Sequence, residues 1–162
     1  MGDFVRWINR TKTAMHPNVL HFRCAAFDTT VEIALQWNAG FSASVHSFRN
    51  SVNLGAGGVL TEGLRTAVAE AVNRYVRRHA LLRDTEPDLA GDVIEEGLAA
   101  VVSIRSTQSA ADLNAFIATV FADYLLNWFE DHPDEAEIIL QKVISSSDEA
   151  RMPRTSCRGG VA

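Results

Sequence analysis

The 162-residue sequence is poor in cysteine and has no long apolar stretch. Its two cysteines, Cys24 and Cys157, lie far apart, and neither belongs to a Cys-x-x-Cys motif. This usage favours a reduced, cytoplasmic setting over a disulfide-stabilised secreted fold. No apolar run approaches the roughly 18 residues that a transmembrane helix needs. The first ten residues also lack the basic-then-apolar order of a secretory signal, so we expect a cytoplasmic protein without membrane contact.

Catalytic and metal-binding motifs are also missing. The five histidines form neither an HExxH motif nor a paired Cys/His spacing, which favours structural or solvent-exposed roles for them. The glycine-rich stretch from Gly55 to Gly58 lacks the Lys-Ser/Thr pair that completes a P-loop, so we interpret it as a turn. Nothing resembles the strand-to-helix elbow of a serine nucleophile. The sequence therefore predicts no catalytic residue and no metal ligand.

The net charge of −5 and the pI near 5.5 argue against binding of a polyanion by bulk charge alone. A local basic cluster nonetheless occurs at Arg74, Arg77 and Arg78. One interpretation is a solvated helix face whose cations suit the negative C-terminal end of the helix. The other interpretation is a DNA-facing patch that contacts phosphates.

Residues 31 to 76 carry the clearest structural pattern. Apolar residues alternate with polar or small ones from Val31 to Trp37, which predicts a strand with one buried face. Asn38-Ala39-Gly40 predicts a turn and a second extended run follows, so we expect a hairpin. An amphipathic helix beginning near Thr61 comes next. This order predicts an α+β sheet with helices on one face.

The second half of the chain alternates strand and helix patterns. The apolar run from Leu98 to Ile104 predicts a central strand buried on both faces. A capped helix is predicted from Ser109 to about Phe129, ended by Asp131-His132-Pro133. Residues 138–140 fit either a short strand or the start of another helix. From Ser145 onward no core pattern remains, so we expect an irregular end.

Four ordered stretches of the sequence resemble the second, or transducer, domain of the DNA gyrase B family of type IIA topoisomerases. They are Phe4–Pro17, Val31–Asn50 with the string QWNAGF, Gly57-Gly58 followed by Glu62-Gly63-Leu64-Arg65, and the segment from Gly91 to Ser103 that contains Glu-Gly-Leu. The resemblance extends over roughly residues 4–151. Ordered matches over that length are far more specific than any single short motif.

The resemblance implies a ribosomal-protein-S5 domain 2-like α+β fold, with a mixed sheet, helices on one face and a left-handed βαβ crossover. It also implies three segments. Residues 1–17 would be the end of the ATPase domain and a linker, residues 18–146 the transducer domain, and residues 147–162 an irregular or disordered tail. The implied function is to relay ATP binding and hydrolysis to DNA strand passage, with no catalysis by this chain alone.

The implied partners are the gyrase B ATPase domain and the DNA-cleavage core, with DNA contacted through the full enzyme. ATP and Mg²⁺ belong to the parent family, and we expect no cofactor in this chain and a monomeric state. In the family, a lysine in a Gln-Thr-Lys loop after the Glu-Gly-Leu strand reaches the γ-phosphate of ATP. Here the best candidate for that position is the string Gln108-Ser109-Ala110, so the resemblance implies that Gln108 is a remnant of the motif and that Ala110 replaces the lysine.

The only lysines are Lys12 and Lys142, and neither lies in this loop. Loss of the nucleotide-sensing lysine leaves two functional interpretations. The chain is the relay domain of a DNA topoisomerase, or it is a stand-alone, degenerate gyrase B paralogue that acts as a protein- or DNA-binding module.

Overall fold

The computed structural model describes residues 1–55 and 57–152. Its helices are α1 (Gly2–Ile8), α2 (Val59–Arg78), α3 (Gly91–Ile94), α4 (Ala110–Asp131) and α5 (Pro133–Arg151), and a 3₁₀ turn spans Asn9–Thr11. Its strands are β1 (Leu20–Ala26), β2 (Thr29–Trp37), β3 (Ser44–Arg49), β4 (Val52–Gly55) and β5 (Leu98–Arg105). None of the helices in the described part of the chain combines the length and apolarity needed to cross a membrane.

The five strands form one mixed sheet in the order β1-β2-β5-β3-β4. Strand β5 is antiparallel to β2, from Thr30↔Arg105 to Trp37↔Leu98, and parallel to β3. The expected hairpin on either side of residues 38–40 is therefore wrong, because β5 lies between β2 and β3. The apolar β5 takes this central place because both of its faces are buried, as its composition predicted.

The second extended run is also divided. A tight turn at Asn50 and Ser51, where φ is 47° and 69°, separates β3 from the edge strand β4. All four residues of β4 are exposed, so the burial pattern that marks a core strand is absent from it.

One face of the sheet packs against α2, α4 and α5. Alternate residues of β2 and β5 supply this face, and the helices cover them with aliphatic and aromatic side chains. The fully buried members include Ile33, Leu35, Val102, Ile104, Leu64, Val68, Ile117, Phe121 and Ile139. The prediction of amphipathic helices packed on a mixed sheet is confirmed.

Helix α1 covers part of the opposite face, which corrects the prediction that helices lie on one face only. Val5 of α1 is completely buried against Ala34, Ala99 and Val101. The small side chains at 34 and 99 leave room for the helix to approach the sheet. A helix of 7 residues is unstable in isolation, so this packing is what holds α1 in place.

Helix α5 continues to Arg151, so residues 147 to 151 are helical and the predicted irregular tail does not begin at residue 147. Ser147 is only 5% exposed, which shows that the last turns of α5 still pack against the domain. The serine run 145–147 concealed this helix, because serine is a weak helix former. Of the two interpretations of residues 138–140, the helix is confirmed. Residues 153–162, with Cys157, lie outside the described residues.

Candidate functional site

The loop between β5 and α4, residues 106–109, is held at its base by the ends of other strands. The Asn50 side chain binds both backbone groups of Ser106: its Nδ2 donates to the carbonyl at 3.2 Å, and its Oδ1 accepts from the N–H at 3.0 Å. The Ser106 hydroxyl lies 2.7 Å from the Thr29 hydroxyl and accepts from the Gln108 N–H at 3.0 Å. These contacts fix the start of the loop on the sheet.

Gln108, which the resemblance matches to the family's nucleotide-binding motif, lies beside the β1–β2 turn. Its Nε2 is 3.5 Å from a carboxylate oxygen of Asp28, and its carbonyl accepts from the Arg49 guanidinium. The Thr107 hydroxyl also donates to Asp28. Hydrogen bonds from Thr107 first, then from Gln108 and Thr29, lower the pKa of Asp28, since they favour its ionised form. The Gln108 amide is therefore directed at a carboxylate of this chain.

Ala110, which the resemblance matches to the family's lysine, is the first residue of α4. Ser109 caps this helix, because its hydroxyl accepts from the Asp112 N–H at 3.2 Å, as the sequence predicted. The side chain at position 110 is a single methyl group at a helix start. The structure therefore brings Gln108 close to Asp28 and Arg49, and it places no ammonium group in this loop.

Asp28 and Asn50 organise this site, and sequence reasoning did not identify either of them. Both lie in turns between strands, where Asp and Asn are common for backbone reasons alone. Their neighbours in space are 56 to 80 positions away along the chain, so no local pattern indicated the contact.

The three arginines predicted to face DNA lie together on α2, and each is paired with a carboxylate. Arg74 binds Asp123 at 2.8 Å, Arg77 binds Asp88 at 2.9 Å and Arg78 binds Glu130 at 3.0 Å. Desolvation raises the pKa of Glu130, but hydrogen bonds from His79 and Arg78 outweigh it and lower the pKa overall. The positive charge is thus offset locally, which favours the interpretation as a solvated helix face; DNA contact stays a prediction.

Comparison with known proteins places these features in a family. The sequence profile of the DNA gyrase B family matches residues 1–158. The DNA gyrase B protein of Mycobacterium tuberculosis H37Rv is 39% identical over 167 aligned residues, which cover 96% of this chain and 25% of that protein. The novobiocin-sensitive DNA gyrase B protein of Streptomyces niveus is 33% identical, over 90% of this chain and 23% of that protein. The chain spans about a quarter of the length of the curated relatives it matches.

Solved structures show the same fold. The 43K ATPase domain of Thermus thermophilus gyrase B, solved with an aminocoumarin, superposes with a TM-score of 0.83 at 20% identity, over 92% of this chain and 43% of that chain. The ATP-binding domain of Francisella tularensis topoisomerase IV, solved with a small-molecule inhibitor, gives a TM-score of 0.73 at 17% identity, over 89% and 42% of the two chains. At such identities the likeness concerns the fold alone. The family match and the relatives at 39% identity cover almost the whole sequence, and this chain therefore belongs to the DNA gyrase B family of topoisomerases.

Proposed function

We propose that the chain is the transducer domain of a gyrase B-type DNA topoisomerase, which relays the state of an ATP-binding domain to a DNA-cleaving core. The observation that carries this proposal is the unit formed by β5, the loop 106–109 and α4. The central strand β5 begins at the leucine of Glu-Gly-Leu and leads into the loop that carries Gln108, at one end of the sheet. The mixed sheet with a β3–α2–β5 crossover supports an S5 domain 2-like fold.

In this proposal the chain binds no nucleotide by itself. ATP and Mg²⁺ are held by the neighbouring ATPase domain, and the loop 106–109 contacts that domain without a lysine. The Gln108 side chain lies 3.5 Å from Asp28, and its backbone carbonyl accepts from Arg49, so contacts within this chain hold the loop on the sheet. The proposed partners are the ATPase domain and the DNA-cleavage core, with DNA contacted through the full cytoplasmic enzyme. The isolated chain is monomeric and hydrolyses nothing.

A chimaeric enzyme tests this role. The matching quarter of the M. tuberculosis gyrase B protein is replaced by this chain, and ATP hydrolysis and ATP-dependent supercoiling are measured after assembly with the DNA-cleaving gyrase protein. We expect supercoiling that still requires ATP, slowed by about 10²–10³-fold because a preorganised cationic donor is missing. The variant Ala110→Lys should recover part of the rate, and Ala110→Gln should not. The proposal is contradicted if the chimaera folds but neither it nor its Ala110→Lys variant supercoils DNA in an ATP-dependent way.

The alanine at position 110 also favours a second candidate, a stand-alone paralogue that acts as a binding module for gyrase or DNA. Immobilised chain is exposed to purified gyrase proteins and, separately, to duplex DNA at micromolar concentration. If the immobilised chain captures a gyrase protein and the chimaera of the first experiment is inactive, the results favour the binding module. If neither gyrase nor DNA is retained, this second candidate is wrong.

A further inference from the structure

A buried polar junction forms where three parts of the chain meet: the N-terminal segment (residues 9–18), the end of β2 with the residues that follow it (residues 36–40), and α5. The first two run antiparallel and share backbone hydrogen bonds. The Met15 N–H donates to the Trp37 carbonyl at 3.0 Å, and the Ala39 N–H donates to the Thr13 carbonyl at 2.8 Å. The N-terminal segment is therefore attached to the sheet by a strand-like pairing.

Buried amide side chains extend this attachment. Asn9 donates to Gln36 at 3.0 Å, Asn38 donates to Asn9 at 2.9 Å, and Gln36 donates to the His16 carbonyl at 2.9 Å. All four residues are at most 6% exposed. Buried amides that satisfy one another hold a single arrangement, because any displacement leaves polar groups unpaired in a dry environment.

His16 and Asn18 connect the N-terminal segment to the first turn of α5. The His16 Nε2 accepts from the Trp37 N–H at 3.0 Å, so in the neutral ring the proton is on Nδ1. Nδ1 lies 3.1 Å from one carboxylate oxygen of Glu135, and the Asn18 amide donates to the other. Glu135 therefore holds two side chains of the N-terminal segment at once.

Lys142 makes the second connection from α5. It follows Glu135 by seven residues, two helical turns, and thus lies on the same side of the helix. Its ammonium donates to the carbonyls of Asn38 at 2.9 Å, Gly40 at 2.6 Å and Glu96 at 2.7 Å. An ammonium group has three donors, so this set of acceptors uses all of them. Desolvation lowers the pKa of Lys142, and the carboxylate of Glu96 partly opposes that effect.

We propose that this junction is the mechanical coupling element of the domain, and that Glu135 and Lys142 are positioning residues within it. They hold α5 to the N-terminal segment and to the end of β2. A displacement of α5 therefore displaces the other two segments, and a displacement of either segment displaces α5. This inference rests on the proposed relay function. It gives the chain a coupling route that does not pass through the loop 106–109, where the lysine is missing.

Hydrogen exchange of the isolated chain tests the coupling. Lys142→Met keeps the aliphatic stem and removes the three donors. We expect amide exchange at residues 38–40 and at residues 13–16 to accelerate by about tenfold or more, together with that of α5. Amides of the β1–β2 hairpin, residues 20–35, should keep the wild-type rate. Lys12→Met removes the same charge from a residue that donates no side-chain hydrogen bond within the described chain, and it should change little.

A second pair of variants covers the case in which Lys142→Met unfolds the chain. Glu135→Gln retains the size of the side chain and weakens its acceptance from His16 and Asn18, whereas Glu137→Gln is a matched change on the exposed side of α5. Faster exchange in residues 13–16 for Glu135→Gln but not for Glu137→Gln supports the proposal. Acceleration confined to α5 in both Lys142→Met and Glu135→Gln overturns it.

The same variants in the chimaeric enzyme separate coupling from simple destabilisation. With the junction broken, ATP hydrolysis should continue while supercoiling per ATP falls by about tenfold or more. If hydrolysis and supercoiling fall together, the junction only supports the fold and the proposal is wrong. If the chimaera with the unchanged sequence of this chain is inactive, that result counts against the transducer role but not against the junction. The exchange experiment uses the isolated chain and does not depend on the chimaera.

Discussion

Gly97 lies so close to Asn38 that a β-carbon at position 97 would be 2.2 Å from the Asn38 carbonyl oxygen. The same β-carbon would be 2.4 Å from the Lys142 ammonium, and the φ of Gly97 is +77°. Both the close approach and the left-handed backbone exclude other residues here. The glycine of the Glu-Gly-Leu string thus has a packing role inside the polar junction.

We expect Gly97→Ala to lower the free energy of unfolding by at least about 2 kcal/mol, since it combines backbone strain with a collision against fixed carbonyls. Urea denaturation followed by circular dichroism measures the loss. Gly91→Ala is the matched control, because a β-carbon there meets nothing within 4 Å. Equal stability of the two variants would contradict the role assigned to Gly97.

The buried His16 should make stability depend on pH. Burial lowers its pKa from the ordinary 6.5, although Glu135 opposes the shift. The unfolded chain therefore binds the proton more readily than the folded chain. The contribution to stability is complete above the unfolded-state pKa and is lost as the pH falls through it toward the folded-state pKa, by at most about 1.4 kcal/mol per pH unit.

His16→Gln should remove this component, so its free energy of unfolding should change less than that of the wild type between about pH 7.5 and pH 5. His21→Gln, at an exposed position of β1, should keep the wild-type slope. Urea titrations at several pH values give both slopes. A His16→Gln slope that matches the wild type would show that another group carries the dependence.

The sequence predicted those parts of the fold that depend on local pattern. The uniform apolar run of β5 indicated a central strand, and Ser109 with Asp112 indicated the start of α4. The insertion of β5 between β2 and β3 was not predictable in this way, because pairing between distant segments leaves no local periodicity. The polar junction was missed for the same reason: His16 and Glu135 are 119 positions apart, and each alone is an ordinary residue.

The cap of α4 gives a further prediction about the candidate loop. Ser109→Ala removes the acceptor for the Asp112 N–H and should destabilise the chain by about 1 kcal/mol. Ser109→Thr retains a hydroxyl and should cost much less. Thermal unfolding of the three proteins measures both effects. Equal losses for alanine and threonine would mean that the hydroxyl does not act as a cap.

The paired arginines of α2 lead to a prediction about DNA. Because Arg74, Arg77 and Arg78 already bind carboxylates and the net charge is −5, we expect the isolated chain to bind duplex DNA weakly at about 0.15 M salt. Fluorescence anisotropy with labelled duplex measures the affinity across a salt series. The double variant Arg74→Ala/Arg78→Ala makes the net charge more negative by two and removes the arginine partners of Asp123 and Glu130, so it should lower this already weak affinity slightly.

Neutralising the carboxylates that pair with these arginines is a second test of the same reasoning. Asp123→Asn with Glu130→Gln releases two arginines from their pairs and makes the net charge less negative by two. The affinity for DNA should then rise, with a steeper dependence on salt. If the wild-type chain instead binds DNA tightly and the arginine-to-alanine variant loses that binding, the arginines face DNA despite their ion pairs. In that case the carboxylates would act as internal competitors that DNA phosphates displace.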